Sequence, residues 1–385
     1  MRLVADENIP GLDCLGPAGI EILSLPGRAI RAEDLEHAQA LLVRSVTRVD
    51  AQLLSRATQL RFVGTATSGF DHVDRKLLRD REIGFAHAPG SNANSVVEYV
   101  LSAMAEADGV LERLLAGGRV GIVGFGEIGQ RLGRRLDALG IAWMVSDPWK
   151  ERRADIPQAA TLAQVLAADV VTLHCELTDA SPFPSHHLLD GDKLAQLTER
   201  QLLINASRGA VVDNTALRQR LQGTGAPRVV LDVWEGEPAP DMQLLDLVWR
   251  GTAHIAGYSW DGKLLATHML LSRMAAALSI ASLEMPGTSG EELSVSLTSA
   301  DSTASAIRTL VAARYRLAED DRLFRSALLA SGNDDVRRGR AFDALRRNYR
   351  QRRELRGSAL PAVQVPGALR EAIEGLGVEI VASQG

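Results

Sequence analysis

Three residues in the second half of the chain have side chains suited to moving a proton beside a bound anion. His254 lies in the segment GTAHIAGY, Glu237 in DVWEGEP and Arg208 in NASRG. Histidine titrates near neutral pH, a neighbouring carboxylate can hold its tautomer, and an arginine can form two hydrogen bonds to a carboxylate. His254 alone would be interpreted as a core residue. Because all three lie at the ends of apolar runs typical of strands, we expect them to form one acid–base site.

A glycine-rich turn provides the place for a cofactor. Gly124, Gly126 and Gly129 have the spacing GxGxxG, after an apolar run and before a helix-forming stretch. A second apolar run ends at Asp147, 18 residues beyond Gly129. In this arrangement the first glycine makes the turn, the second admits a pyrophosphate, and the third lets helix and strand pack closely. The acid accepts hydrogen bonds from a ribose 2′-hydroxyl and repels a 2′-phosphate, so the motif predicts NAD rather than NADP.

Residues 1–90 alternate short apolar runs with polar turns. The runs are LVA, IEILSL, ALLVRS, LRFVGTA and IGFAHA, with helix-like stretches at 32–37 and 51–56. This pattern predicts a parallel sheet with helices on both faces. Arg44 and Ser45 follow one predicted strand, and Thr67 follows another. Such loops can hold a carboxylate or phosphate, although a plain tight turn is the alternative for each.

The pattern repeats after the glycine motif. The runs DVVTLH, QLLINAS, RVVLDVW and GTAHIAG complete a six-stranded doubly wound sheet if every run pairs. Long helices are predicted at 92–108 and 260–285, and residues 286–292 have the composition of a linker. The arginine-rich residues 295–385 suggest a small α+β module. Its arginines form either a solvated helix face or a basic surface for an anionic substrate or a second subunit.

Composition narrows the class of protein. The 385 residues favour two or three domains, and the net charge of −5 gives no reason to expect nucleic acid or a membrane surface as partner. Neither a membrane-spanning run nor a signal peptide is recognisable, so we expect a cytoplasmic protein. Cys14 and Cys175 are expected to be small buried hydrophobes. His186 and His187 have no further Cys or His at ligand spacing, so no metal site is predicted.

Together, the glycine turn with its acid and the segments NASRG, DVWEGEP and HIAG resemble the D-2-hydroxyacid dehydrogenase family. The resemblance implies that Arg208 binds the substrate carboxylate, Glu237 supports the histidine, and His254 is the acid/base in hydride transfer involving NAD. The residues then expected at the cofactor are Gly124, Gly126, Glu127, Ile128, Gly129, Asp147, Cys175, Ala206, Asp232 and Gly257.

Further segments, among them MRLVADENIP, LVRSVT and VGTATSGFDHVD, are similar to one branch of that family. The resemblance implies a phosphorylated hydroxy acid as substrate and a homodimer formed through an extra C-terminal domain. Ser45, Thr67 and Tyr258 are then expected to contact the substrate. A substrate with two anionic ends needs a second cationic anchor, for which Arg44 and the 346–353 stretch of a second subunit are the candidates.

The expected architecture is α/β, with two doubly wound parallel-sheet domains and a small α+β C-terminal dimerisation domain. Residues 1–92 and 258–286 form a flavodoxin-like substrate-binding (lid) domain. Residues 93–257 form a Rossmann-type NAD-binding domain, and residues 287–385 the dimerisation domain.

Two alternatives remain open. The chain could be another D-2-hydroxyacid dehydrogenase, for example one acting on 3-phosphoglycerate. It could also be a non-catalytic NAD-sensing co-repressor on the same fold, since such proteins retain the dinucleotide site.

Overall fold

The computed structural model describes residues 1–150, 158–281 and 291–382. The strands are β1 Arg2–Asp6, β2 Glu21–Leu25, β3 Ala40–Val43, β4 Phe62–Thr65, β5 Gly84–His87, β6 Arg119–Val123, β7 Ala142–Ser146, β8 Val170–Leu173, β9 Leu202–Asn205, β10 Arg228–Leu231, β11 Arg250–Gly251, β12 Ala359–Pro361 and β13 Glu379–Val381. The helices are α1 Arg75–Asp80, α2 Ala93–Glu106, α3 Val110–Leu115, α4 Glu127–Ala138, α5 Leu162–Leu166, α6 Gly191–Ala195, α7 Asn214–Gln222, α8 Met242–Leu247, α9 Trp260–Leu278, α10 Thr303–Arg314, α11 Leu317–Ala330, α12 Asp335–Arg347 and α13 Arg370–Gly375.

The chain divides into two compact units. Among the described residues, the first unit comprises 1–93 and 259–281, and the second comprises 94–258 and 291–382. The predicted linker 286–292 lies outside the described residues except for its last two positions. No helix in the described part of the chain is long and apolar enough to cross a membrane. The cytoplasmic location stays a prediction.

The first unit is built on a five-stranded parallel sheet with the order β2-β1-β3-β4-β5. All five predicted apolar runs are strands, and this order is that of flavodoxin-like sheets. One face packs against α9 through Leu270, Leu271 and Met274. The predicted helices at 32–37 and 51–56 are single 3₁₀ turns, Ala32–Leu35 and Leu53–Arg56. These segments are too short to offset the cost of starting an α-helix.

The second unit contains a six-stranded parallel sheet with the order β11-β10-β9-β8-β6-β7. The two doubly wound parallel sheets predicted from the sequence are therefore confirmed. From β6 the chain runs outward to β7 and then returns to β8 on the opposite side of β6. Ligands of open parallel sheets bind at such a switch point, outside the carboxyl ends of the strands.

The C-terminal residues share a compact unit with part of the preceding chain, and the separate third domain expected at 287–385 stays a prediction. The described residues 291–382 belong to the same compact unit as 94–258. The physical reason is a shared apolar core, in which Ile307 and Ile373 are buried in one cluster with Leu136. Helix α13 also packs directly on α4. The α+β content is as predicted, since four helices accompany the two-stranded sheet of β12 and β13.

Candidate active site

The glycine turn of the second unit has a different physical requirement at each of its three glycines. Gly124 follows β6 with φ of 92°, a left-handed conformation that side chains disfavour. A Cβ on Gly129 would lie 2.2 Å from the Gly124 carbonyl oxygen, so only glycine lets α4 pack on the strand. A Cβ on Gly126 would meet nothing within 4 Å. The middle position therefore faces open space, as the approach of a pyrophosphate requires.

Asp147 lies at the end of β7, where the motif predicts it. Its Oδ2 accepts a hydrogen bond of 2.8 Å from the backbone N–H of Phe125, inside the glycine turn. Its Oδ1 accepts one of 3.2 Å from the N–H of Lys150. The carboxylate is thus fixed against the turn and keeps acceptor capacity for a ribose hydroxyl.

The other residues predicted at the cofactor lie around the same sheet edge. Glu127 and Ile128 form the first turn of α4, Cys175 follows β8, Ala206 follows β9, and Gly257 ends the loop after β11. The backbone of Cys175 lies against Gly124, at the switch point. Burial raises the pKa of the Cys175 thiol to about 11, so this half-buried thiol is protonated at neutral pH. The side chain of Cys14 lies outside the described residues.

Arg208, Glu237 and His254 line one cavity of about 360 Å³ in the second unit. The other lining residues are Leu177, Gly209, Ala210, Trp234, Glu235 and Gly236. The loops after β9, β10 and β11 supply the three residues, because neighbouring parallel strands end at the same sheet edge. The grouping expected from the sequence is therefore present.

Glu237 and His254 form a direct contact. Glu237 Oε2 lies 2.8 Å from His254 Nδ1, and Oε1 accepts a hydrogen bond of 2.9 Å from the Trp234 N–H. Burial opposes the charge of Glu237. Even so, the charge and hydrogen bond of His254, together with Trp234 and Arg346, hold the carboxyl pKa below its ordinary value. Glu237 is thus ionised at neutral pH and fixes the imidazole with Nε2 available for proton transfer.

Asp232 determines the conformation of the loop that carries His254. Its buried carboxylate accepts hydrogen bonds from the N–H groups of Ile255 and Ala256 and from the Thr252 hydroxyl. These contacts explain why only the start of the GTAHIAG run is a strand. His254 then adopts a φ of 57°. Burial raises the pKa of Asp232, against the lowering effect of His254 and these hydrogen bonds.

Arg208 is placed by close backbone packing. A Cβ on Gly209 would lie 2.1 Å from the carbonyl carbon of Trp234, so the loop after β9 lies directly on the loop after β10. Asn205 holds the same turn, because its side-chain amide donates to the Arg208 carbonyl oxygen at 3.0 Å. The guanidinium donates to the Ser207 carbonyl oxygen and lies at the cavity wall.

Tyr258 contacts Arg346 of its own chain, a pairing that no sequence pattern indicates. The guanidinium carbon of Arg346 lies 5.7 Å from the centre of the Tyr258 ring. Tyr349 packs edge-on against the same ring, with centroids 5.8 Å apart. Both come from the C-terminal part of the chain, which therefore reaches a predicted substrate residue.

The other arginines of the 346–353 stretch are held within their own chain. Arg350 donates to Glu319 at 2.9 Å, and Arg353 donates to Glu291 at 2.8 Å. Arg352 is buried, donates to the Ser95 carbonyl oxygen and stacks on a tyrosine ring. These three guanidinium groups thus have partners within their own chain. That the stretch reaches a phosphate in a second subunit stays a prediction.

In the first unit, Arg44, Ser45 and Thr67 lie at the carboxyl ends of the adjacent strands β3 and β4. The Thr67 hydroxyl donates to the Gly69 carbonyl oxygen at 2.7 Å and contacts the Thr65 hydroxyl. Lys263, in the first turn of α9, is a further cation near Arg44. Burial and the charge of Arg44 lower its pKa to about 8. Sequence patterns did not single out Lys263, since nothing in its segment marks it.

His186 and His187 lie beside a carboxylate from a distant part of the chain. His187 Nε2 is 2.7 Å from Glu235 Oε1, and the second oxygen of Glu235 accepts a hydrogen bond from the Asn214 N–H. Ligand atoms of the three residues lie within 4.8 Å of one another. Glu235 is far from the two histidines in the chain, so ligand spacing in the sequence does not indicate it. That no metal binds stays a prediction.

Comparison with known proteins agrees with this geometry. Residues 95–256 match the family described as D-isomer specific 2-hydroxyacid dehydrogenase, NAD binding domain. The chain belongs to the D-isomer-specific 2-hydroxyacid dehydrogenase family. It is an NAD-dependent enzyme of that family, and the glycine turn described above fits the cofactor. Residues 288–377 match a domain of unknown function (DUF3410).

Close relatives cover almost the entire chain. The erythronate-4-phosphate dehydrogenase of Marinobacter nauticus is 45% identical over 92% of this chain and 93% of the relative. That of Azotobacter vinelandii is 43% identical over 99% of this chain and 100% of the relative. A crystal structure of a Thermus thermophilus protein is 28% identical, with a TM-score of 0.60, over 73% of this chain and 98% of that one.

Proposed function

We propose that this enzyme oxidises 4-phospho-D-erythronate to (R)-3-hydroxy-2-oxo-4-phosphooxybutanoate with NAD, as a step of pyridoxal 5′-phosphate (vitamin B6) biosynthesis. The names of the relatives support this substrate. The observation that carries the chemistry is the 2.8 Å contact of Glu237 and His254 in one cavity with Arg208.

The proposed mechanism assigns one task to each of the three residues. Arg208 pairs with the substrate carboxylate and orients C2. His254 Nε2 takes the proton of the C2 hydroxyl, because Nδ1 is occupied by Glu237, whose negative charge stabilises the imidazolium that forms. NAD, when bound, supplies the acceptor for the hydride that leaves C2. The C2–O bond becomes a carbonyl, so electrons and protons balance.

The first unit is proposed to supply the contacts for the phosphate. Arg44 and Lys263 place two positive charges near the loops of Ser45 and Thr67. These loops also contain hydroxyl and backbone N–H groups that can donate hydrogen bonds to a phosphate. Besides burial, the charge of Arg44 lowers the pKa of Lys263, so the two cations repel each other. A phosphate bound beside them would relieve that repulsion, which favours a phosphorylated substrate.

The substrate assignment is tested by initial rates of NADH formation from 4-phospho-D-erythronate, D-erythronate and 3-phospho-D-glycerate. We expect the highest kcat/KM with 4-phospho-D-erythronate and a large loss without the phosphate. A preference for 3-phospho-D-glycerate would contradict the assignment within the family. NADH binding without turnover of any hydroxy acid would indicate the sensor instead.

We also propose that the protein is a homodimer that associates through the C-terminal residues. Leu329, Val336 and Val363 of this part are 65%, 64% and 81% exposed, so they are apolar side chains that a second copy of the chain could cover. Light scattering should give the mass of a dimer for the wild type and of a monomer for Leu329→Glu with Val336→Glu. A monomeric wild type would contradict the proposal.

A further inference from the structure

Helix α12 packs directly on the segment that carries Glu237. A Cβ on Gly339 would lie 3.2 Å from Cγ of Pro238, the residue after Glu237, so the helix and the loop are in close contact. On the same side, Phe342 of α12 packs on Phe324 of α11, which packs on Trp234, with ring centroids 5.8 and 5.7 Å apart.

Trp234 in turn joins this packing to the acid–base pair. Its backbone N–H donates to Glu237 Oε1, and its indole N–H donates to the Thr252 carbonyl oxygen at 2.9 Å. Trp234 thus holds both the Glu237 carboxylate and the segment that leads to His254. Because that tryptophan rests on α11, the C-terminal helices belong to the structure that fixes the pair.

Arg346 is the charged residue of α12 at this place. Its guanidinium lies over the Tyr258 ring and 5.9 Å from the centre of the Phe342 ring. Its Nε is buried and has no hydrogen-bond partner among the described residues. Burial opposes the charge of Arg346, but Tyr258 and the carboxylates of Glu237 and Asp232 raise its pKa above the ordinary value.

We propose that Arg346 is a positioning residue of the active site in its own chain, which holds the Tyr258 ring and stabilises the ionised carboxylate of Glu237. The inference rests on the proposed roles of Glu237 and His254. It assigns to the C-terminal part a contribution to catalysis in addition to the proposed dimerisation.

The charges around the Glu237–His254 pair determine how the loss of Arg346 would change the protonation of this pair. Glu237 interacts with His254 and Arg346, and Asp232 interacts with both of those cationic groups. Without the Arg346 charge, protonation of the Glu237–His254 pair becomes easier. Oxidation needs the pair in its deprotonated form, so the acid limb of the kcat/KM profile should move to higher pH.

The test compares Arg346→Met, Arg346→Lys and the control Arg347→Met, an exposed neighbour on the same helix. Arg346→Met should lower kcat/KM on the order of 10-fold and move the acid limb up by on the order of half a pH unit. Arg346→Lys keeps the positive charge, so its pH profile should lie close to that of the wild type. Arg347→Met should match the wild type. The KM for NAD should stay unchanged.

A structural role alone would give a lower Tm for Arg346→Met with a pH profile that superimposes on the wild type, and this result would overturn the proposal. An independent measurement follows the imidazole of His254 by NMR titration, assigned with His254→Asn. Its titration should move to higher pH in Arg346→Met, and an unchanged titration would also overturn the proposal. Because this readout needs no turnover, failure of the proposed function is seen separately, as a wild type inactive towards hydroxy acids.

Discussion

The two parallel sheets carry polar residues at the same position but with opposite electrostatic character. In the second unit, the carboxylates of Asp232 and Glu237 are bonded to backbone N–H groups, a threonine and a histidine. In the first unit, Arg44 and Lys263 bring like charges near each other, next to loops with hydroxyls.

This difference separates two tasks. A proton-transfer pair must be held in one geometry before the substrate arrives, and fixed hydrogen bonds achieve this. A site for a dianionic group benefits instead from cations that lie near each other, because a bound anion lowers their repulsion. Under the proposed function, the second unit provides the chemistry that the family shares, and the first unit selects the substrate.

The largest expected effect is the loss of the proton-transfer group. His254→Asn should lower kcat about 100-fold or more, since general acid–base catalysis contributes about 10²–10⁴-fold. Asparagine is chosen because it tolerates the left-handed backbone found at this position. Steady-state rates and Tm are the measurements. His268→Asn, at an exposed position, serves as the matched control. Similar losses of kcat in both variants would contradict the proton-transfer role of His254.

Changes in the first unit should affect binding rather than chemistry. Arg44→Gln should raise the KM for a phosphorylated substrate about 10–100-fold, as expected for a lost charged hydrogen bond, with little change in kcat. Arg48→Gln, an exposed arginine near the same loop, should leave KM unchanged. An equal effect on D-erythronate without phosphate would refute the proposed phosphate contact.

The glycine turn allows a matched pair of substitutions in the second unit. Gly126→Ala should weaken NADH binding on the order of 10-fold without loss of stability, because its Cβ enters open space where the pyrophosphate is expected. Gly129→Ala should lower the free energy of unfolding by about 1–3 kcal/mol, because its Cβ would overlap the Gly124 carbonyl. NADH titration and thermal unfolding separate the two effects. Normal NADH affinity in Gly126→Ala would contradict the proposed cofactor position.

The smallest expected effect is a pH dependence of substrate binding. The pKa of Lys263 is about 8, so the protonated form that attracts phosphate prevails below this pH and is lost as the pH rises through it. The KM for 4-phospho-D-erythronate should therefore rise several-fold between about pH 7 and 9. Lys263→Arg should give a flat profile in this range. A wild-type KM that stays constant would argue against a phosphate contact by Lys263.

The sequence predicted the parts of the site that local patterns encode. Gly124, Gly129 and Asp147 follow a motif with a direct steric or hydrogen-bonding reason at each position, and the strand ends bring Arg208 to His254. Contacts between distant segments carry no such pattern. The stacking of Arg346 on Tyr258 and the approach of Lys263 to Arg44 depend on tertiary packing, which pairs residues far apart in the chain.

The same limit applies to the packing of the C-terminal part. A change in composition after residue 286 suggested a separate domain, and the match of 288–377 to its own family agrees with a distinct sequence module. Whether this module shares a core with its neighbour depends on which apolar faces meet. Composition does not encode that, and here α10 and α13 complete the core around α4.

The most direct test of the account follows the hydrogen at C2. 4-Phospho-D-erythronate labelled with deuterium at C2 is incubated with NAD and enzyme, and the reduced cofactor is analysed by mass spectrometry. We expect the deuterium in the NADH formed by the wild type and by Arg44→Gln at raised substrate concentration, with far slower transfer by His254→Asn. NADH without the label, or equal rates for the wild type and His254→Asn, would contradict hydride transfer from C2 assisted by His254.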